Sequence, residues 1–383
     1  MPETGADPID DLTIAEDFEY LVRLLPQGWR SKAKELGALR RCRNVSDAET
    51  LLRVLLIHLA EGCSLRETAL RIKRGKIANL SDVAIMDRLR LSGEWFRWMN
   101  TQLVSQWVMR QPSRIYGHEL KVNLVDATRI KEPGPTGSTW SLHYCIDLVS
   151  LACRQLIVSD RRSSGESFRR FALRKGELYI GDRAYGVRPG IFYLTKGGAH
   201  VLVRFALDNL PLVQGRTKSF GLLRHLRSLK PAQIGDWPVE LQWENQRLEG
   251  RVCAIKKSRQ AAQQAQSKLI RRGQKQGATI KASTLESSAY VFVFTTLAPS
   301  QLEATQALEL YRGRWQIELV FKRLKSILQL GHLRKIDPDS AQSWIEGKLF
   351  VALVIELLLR HAESFFPWGY PIIQASTLPL PVA

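Results

Sequence analysis

The chain is short of cysteine, short of acid and without any long apolar run. Only 5 of its 383 residues are cysteine. Cys42, Cys63, Cys145, Cys153 and Cys253 are widely spaced, odd in number and form no C-x2-C pair. That pattern argues against a disulfide framework or a zinc site and fits a reducing cytoplasm. The most apolar stretch, LFVALVIELLL from Leu349 to Leu359, contains Glu356 and is about half the length of a membrane span, so it reads as a core helix. The opening MPETGADPIDD is acidic and lacks the basic-then-apolar order of a signal peptide. The expectation is a cytoplasmic protein with no membrane partner. Acid is the scarcer charge, with 37 Asp and Glu against 56 Lys and Arg, a net of +19. Such an excess favours an extended polyanion as partner, bound in a salt-dependent way.

Three segments carry residues suited to chemistry. In KVNLVDATRI, strand alternation puts Val122, Leu124 and Asp126 on one face, and in ELYIGDRAYG it pairs Ile180 with Asp182. A carboxylate on a largely buried face is costly unless hydrogen-bonded, paired or bound to metal. The third segment is YRGRWQIELVFKRLK. Read as one α-helix, it places Arg314, Glu318 and Lys325 at about −60°, −20° and −40° from Tyr311, on one narrow face. Ile317, Val320, Leu324, Ile327 and Leu328 fall opposite, as a core-docked stripe should. Each feature has a blander reading: a solvated charged face for the helix, a turn cap for each aspartate. Together they read as a metal-dependent, phosphodiester-cutting site.

The spacing Y-x2-R-x3-E-x6-K, filled by Tyr311, Arg314, Glu318 and Lys325, resembles the signature of one group of DDE transposases of bacterial insertion sequences. The resemblance covers about residues 118–335. It implies a ribonuclease-H-like core in which Asp126 ends the first strand and Asp182 the fourth. It further implies that Asp126, Asp182 and Glu318 are catalytic and hold two divalent ions, Mg²⁺ or Mn²⁺, while Tyr311, Arg314 and Lys325 contact DNA. Double-stranded DNA, both element ends and target, is the implied partner, bound by a homodimer in a synaptic complex at the bacterial nucleoid. Within the family an insertion-domain tryptophan can stack on a flipped base, which makes Trp237 and Trp243 candidates, although tryptophans in a hairpin more often anchor a small core. Arg183 and Arg204 are candidate phosphate contacts. His143 and His332 are assigned as ligands of nothing. A nuclease without strand transfer, or an inactive DNA-binding derivative, would share much of this sequence.

The expected fold class is α/β, a mixed-sheet ribonuclease-H-like core with a β-rich insertion, plus an N-terminal all-α unit of helix-turn-helix type. Residues 1–115 are expected to form the helical DNA-binding domain, 116–207 and 289–345 the core, 208–288 the insertion with a basic arm, and 346–383 a C-terminal helix and tail. In the helical part, Ser46 with Glu49 and Ser64 with Glu67 fit capping boxes, and a third helix starts near Ser81 with Val83, Ile85, Met86 and Leu89 for packing. Arg40 to Arg90 holds 11 basic and 6 acidic residues, so this third helix, with Arg88 and Arg90, suits a DNA major groove; an ordinary helical scaffold is the alternative. Asp126 and Asp182 lie 56 residues apart, Asp182 and Glu318 136 apart, and the longer gap leaves room for the insertion. VELQWENQRLEGRVCAIKK reads as a hairpin. Lys256 to Lys281 carries 8 Lys or Arg and no acid, a helical arm or a loop along phosphates. A helix is expected around Ser167–Arg174 and another after Pro189. The apolar helix after Leu349, with Phe365, Phe366 and Trp368, reads equally as a dimer contact or as the closing core helix.

Overall fold

The computed structural model describes residues 18–40, 44–108, 120–131, 139–160, 165–215, 218–331, 333 and 337–365. Cys42, His332, Phe366, Trp368, the N-terminal acidic stretch and the side chain of Phe365 lie outside what is described.

The first part is helical: α1 (18–23), α2 (Trp29–Glu35), α3 (Ala48–Ala60), α4 (Leu65–Arg74), α5 (Asp82–Leu91) and α6 (Gly93–Val108). Side chains that accept free backbone N–H groups set the starts of three of them. Ser64 accepts from Glu67 N at 3.1 Å and Ser81 from Ala84 N at 3.2 Å. The α3 cap is one residue later than expected: Asp47 accepts from Thr50 N at 2.7 Å, while the Ser46 hydroxyl donates to Asp47. A carboxylate there also answers the positive helix N-terminus, which a serine cannot. Val83 does not pack as expected and is 66% exposed; Ile85 and Leu89, one turn apart, are the buried stripe of α5, and Val83 lies about 160° around the helix from Ile85.

Strands then dominate: β1 (Val122–Lys131), β2 (Thr139–Asp147), β3 (Cys153–Ser159), β4 (Leu178–Gly181), α7 (Arg188–Lys196), β5 (His200–Arg204), β6 (Leu212–Gln214), β7 (Lys218–Ser219), α8 (Leu222–Arg227), β8 (Ile234–Trp243) and β9 (Gln246–Lys256). In place of the expected helix at 167–174 there is a single 3-10 turn, Phe168–Arg170. The chain leaves it extended because the Gln155 amide pairs with both backbone groups of Ala172, at 2.7 and 2.8 Å. The rest is α9 (Arg259–Gln276), α10 (Ala282–Ser287), β10 (Tyr290–Thr295), α11 (Ala304–Arg312), α12 (Trp315–Ser326) and α13 (Pro338–Phe365). The basic stretch after the hairpin is therefore a helix, α9.

All ten strands form one sheet in the order β3-β2-β1-β4-β5-β10-β9-β8-β6-β7. β1 runs antiparallel to β2 and parallel to β4, and β4 parallel to β5. The strands of 208–288 are continuous with this sheet rather than set apart: β9 pairs with β10 from Tyr290↔Lys256 to Thr295↔Arg251, and β10 pairs with β5. Strand alternation sorts the apolar residues onto two faces. Val122, Leu124, Leu178, Ile180 and Leu202 join the core under α11, α12 and the helical part; Val125, Tyr179, Val201 and Val203 join a second core with Phe168, Tyr185 and α7.

α13 runs unbroken through the expected boundary at 345/346 and packs on α3, α5, α6 and β3. The Phe96 and Phe350 rings lie 5.4 Å apart, and Asn100 Nδ2 donates to Glu346 O at 3.1 Å. At Gly347 the helices approach so closely that a Cβ would stand 2.5 Å from Leu59 Cδ1. The apolar run is thus the closing core helix. Among the described residues no helix is long and apolar enough to cross a membrane, and Cys63, Cys145, Cys153 and Cys253 are buried free thiols.

Candidate active site

The register between β1 and β4 pairs Val122 with Leu178 and Leu124 with Ile180. Two residues further along each strand, Asp126 and Asp182 stand level on the same face, as the alternation predicts, on strands about 4.8 Å apart. Both are tied to the following backbone. Asp126 Oδ1 accepts from Ala127 N and Asp182 Oδ1 from Ala184 N, each at 2.8 Å. Gly186 lies in the turn after Asp182, where a Cβ would meet the Arg204 carbonyl at 2.5 Å, so only glycine lets this turn lie against β5.

α12 covers the same face with buried Ile317, Phe321 and Leu324, the Phe321 ring meeting Tyr144 edge-on at 6.2 Å. The expected stripe is otherwise altered: Ile327 is 71% exposed because α12 has ended at Ser326, and Leu328 is buried again beyond it. The motif is also not one helix. α11 ends at Arg312, and Gly313 and Arg314 form a tight joint with i→i+3 bonds, Arg314 N to Tyr311 O at 3.1 Å and Ile317 N to Arg314 O at 3.2 Å. Tyr311 thus comes from α11, buried, and Arg314 caps α12.

Arg314 ties the acids together. One guanidinium nitrogen lies 3.2 Å from Asp126 Oδ2 and the other donates to Glu318 Oε1. Asp126 and Arg314 are mostly buried side chains, whereas Glu318 is 58% exposed. Burial pushes the Asp126 carboxyl up to about 7; Asp182 and Glu166 push the same way, while the Ala127 N–H and Arg314 oppose. Burial works against the charge on Arg314 too, but Tyr311, Glu318 and Asp126 more than offset it. Burial raises the Tyr311 phenol, with Arg314 and Arg204 opposing. Lys325 is half-buried near Gly331 and has no ion pair among the described residues.

Glu166 was not anticipated. Its carboxyl is raised by burial and then by Asp182, with Arg129 opposing, so a fourth acid stands in the field of the two aspartates. A single acid in a turn carries no periodicity by which to find it.

Other candidates fall elsewhere. Trp237 and Trp243 lie on β8 and are partly buried against the second core, Trp237 near Phe220 and His225, Trp243 near Phe192 with Arg169 over its ring. β8 lies five strands from β1 in the sheet. Arg90 is paired with Asp337 and Asp339 at the start of α13, and Arg88 is half-buried in α5. His143 is buried with Nε2 2.9 Å from Ser159 Oγ, its pKa lowered to about 4 by burial.

Among the described residues no three acidic, histidine or cysteine side chains are grouped tightly enough to hold a metal ion, and Arg314 stands between Asp126 and Glu318. The donor chemistry nevertheless suits a hard divalent cation: carboxylate oxygens on adjacent strands, Asp182 just past the end of β4 but Asp126 midway along β1. β1 runs on to Lys131 through its pairing with β2 instead of ending at Asp126 as expected. Asp126 is mostly buried and raised in pKa partly by its acidic neighbours.

The transposase DDE domain family matches residues 117–355. The putative transposase InsL for insertion sequence element IS186A of Escherichia coli (strain K12) is 32% identical over 348 residues, 89% of this chain and 93% of that protein. The transposase for insertion sequence element IS421 of Escherichia coli is 32% identical over 349 residues, with the same 89% and 93% coverage. The transposase for insertion sequence element IS231B of Bacillus thuringiensis subsp. berliner is 22% identical over 197 residues, 48% of this chain and 41% of that protein. The chain belongs to the DDE transposases of bacterial insertion sequences.

Proposed function

We propose that this transposase binds the inverted-repeat ends of its own element, cuts them by phosphodiester hydrolysis and transfers the freed 3′ ends into target DNA. The observation that carries this reading is the level pair Asp126 and Asp182 with Glu318 brought over the same face and joined to Asp126 through Arg314. The strand order β3-β2-β1-β4-β5 supports a ribonuclease-H-like core. Three short helices with serine and aspartate caps support a helix-turn-helix-like DNA-binding unit in the first 115 residues, in which α5 with Arg88 and Arg90 meets the major groove. A homodimer would pair the two ends.

Asp126, Asp182 and Glu318 would hold two divalent cations, Mg²⁺ or Mn²⁺, which when bound lower the pKa of a coordinated water and offset charge on phosphoryl oxygens. Arg314 orients the Asp126 and Glu318 carboxylates and binds a phosphate oxygen beside the scissile bond. Lys325, Arg183 and Arg204 bind flanking phosphates, and Tyr311 donates a hydrogen bond to a backbone oxygen. Water attacks phosphorus and the 3′ oxygen departs as a hydroxyl. That hydroxyl then attacks a target phosphodiester and expels the target's own 3′ oxygen. No side chain bonds covalently to DNA.

The test is cleavage in Mg²⁺ of a DNA fragment carrying the gene with its native flanks, comparing the parent with Glu318→Gln. Cuts at inverted repeats bounding the gene, absent in the variant, are expected. Retained Mg²⁺-dependent cutting by the variant would remove Glu318 from the site, and cut ends never joined to a second duplex would leave a hydrolase without strand transfer.

A further inference from the structure

On the side of Asp182 away from Asp126 the same sheet face turns basic. Ile180 pairs with Leu202 across β4 and β5, so two residues on, Arg204 stands level with Asp182. Arg204 in turn pairs with Val293 on β10, and Val293 with Cys253 on β9. Beyond Cys253, Ile255 and Lys257 continue on that face toward the same edge of the sheet. Arg183 opens the turn after β4. α9 starts just after Lys257 and carries Lys268 and Arg272, one turn apart and both exposed. Their charges reach Lys257 and Arg183 respectively.

Three observations mark this gathering as a receptor for an anion. The Nε–H groups of Arg183 and Arg204 are buried without an acceptor, which is uncommon for buried donors. Lys257 is pushed down to about 8 by burial, then by Arg204, Arg183 and Lys268, and its ammonium donates to the Ser288 carbonyl at 2.8 Å. None of the five cations forms an ion pair with a described acid, and Asp182 is the acid whose charge is felt at Arg183. Crowded like charges of this kind are costly until an anion enters.

We propose that Lys257, Lys268 and Arg272 extend the phosphate contacts of Arg183 and Arg204 into a subsite on the side of Asp182 away from Asp126, which holds consecutive backbone phosphates of the DNA strand running from the catalytic acids toward α9. The choice of DNA as the anion rests on the function proposed above. The arrangement of the cations supports an extended ligand: two near the strand ends, one at the mouth and two exposed on a helix form a track rather than a closed pocket.

Binding of the full chain to a labelled duplex oligonucleotide of unrelated sequence, followed by fluorescence anisotropy over a salt series, tests this without any need for cutting. It therefore reads the subsite independently of whether element ends are cleaved. Each phosphate contact contributes about 0.9 to the slope of log affinity against log salt. The double variant Lys268→Gln, Arg272→Gln should lower that slope by roughly 2, and Lys257→Gln by about 1. Lys196→Gln, which removes an exposed cation at the opposite edge of the sheet beyond α7, should leave the slope unaltered. Because Lys268 and Arg272 are exposed, their double variant carries the test even if Lys257→Gln melts. A slope equal to that of the parent in the double variant, or an equal loss per charge in Lys196→Gln, would overturn the proposal.

Discussion

Replacing Asp126 by Asn should stabilise the folded chain at alkaline pH and change nothing in acid. The carboxyl titrates near 3.8 when unfolded and at about 7 when folded, mainly because it is buried. Below about pH 4 both states carry the proton and Asp126 imposes no penalty. Between about 4 and 7 the unfolded chain releases its proton while the folded chain keeps it, so each pH unit favours unfolding by about 1.4 kcal/mol. Above 7 the deficit levels off on the order of 4 kcal/mol. Arg314, already opposing the rise, is included in that figure. Asn keeps the shape and an acceptor for the Ala127 N–H without the charge. Denaturant unfolding in chelator, with parent and variant compared from pH 4 to pH 8, should show a gap that opens across this window and reaches up to about 4 kcal/mol. Added Mg²⁺ should stabilise the parent more than the variant. A variant no more stable than the parent at pH 8 would refute the claim that Asp126 is a strained buried acid.

Arg314→Leu should destabilise the fold at pH 8 by about 3 kcal/mol, since removing one partner leaves a buried charge uncompensated, and by much less at pH 5, where Asp126 is protonated; an equal loss at both pH values in the same unfolding assay would show that packing, not charge, is responsible. Phe350→Ala removes a fully buried ring from the contact between α13 and α6 and should cost roughly 3–5 kcal/mol, read as a fall in unfolding midpoint; a change below about 1 kcal/mol would mean that α13 is not part of the core.

The two aspartates were legible because strand alternation is local: Val122, Leu124 and Asp126 share a face by period alone, and so do Ile180 and Asp182. Their being level depends on a parallel register between strands more than fifty residues apart, which no local pattern encodes. The motif spacing was legible but its geometry was not. A step of three from Tyr311 to Arg314 suits both a continuous α-turn and a tight joint with i→i+3 bonds, and the structure has the joint. The same limit explains the long gap before Glu318: the hairpin was visible from its alternation, while its merger with the main sheet through β10 comes from long-range pairing. Trp237 and Trp243 are singled out by the family resemblance alone; their partial burial against Phe220 and Phe192 comes from long-range packing that no local pattern encodes. The Ser64 cap and the helix start near Ser81 are legible because a cap needs only its own next three residues.

The docking of α13 has a consequence for synthesis. The helices through α6 leave the ribosome first, but Phe96, Arg97 and Asn100 find Phe350 and Glu346 only when residues near the end of the described chain emerge. Until then the nascent helical unit keeps an apolar face uncovered, so a chain interrupted anywhere before α13 should behave as a chaperone and protease substrate rather than as a free DNA-binding fragment. Emergence of α13 and completion of the N-terminal core become one event.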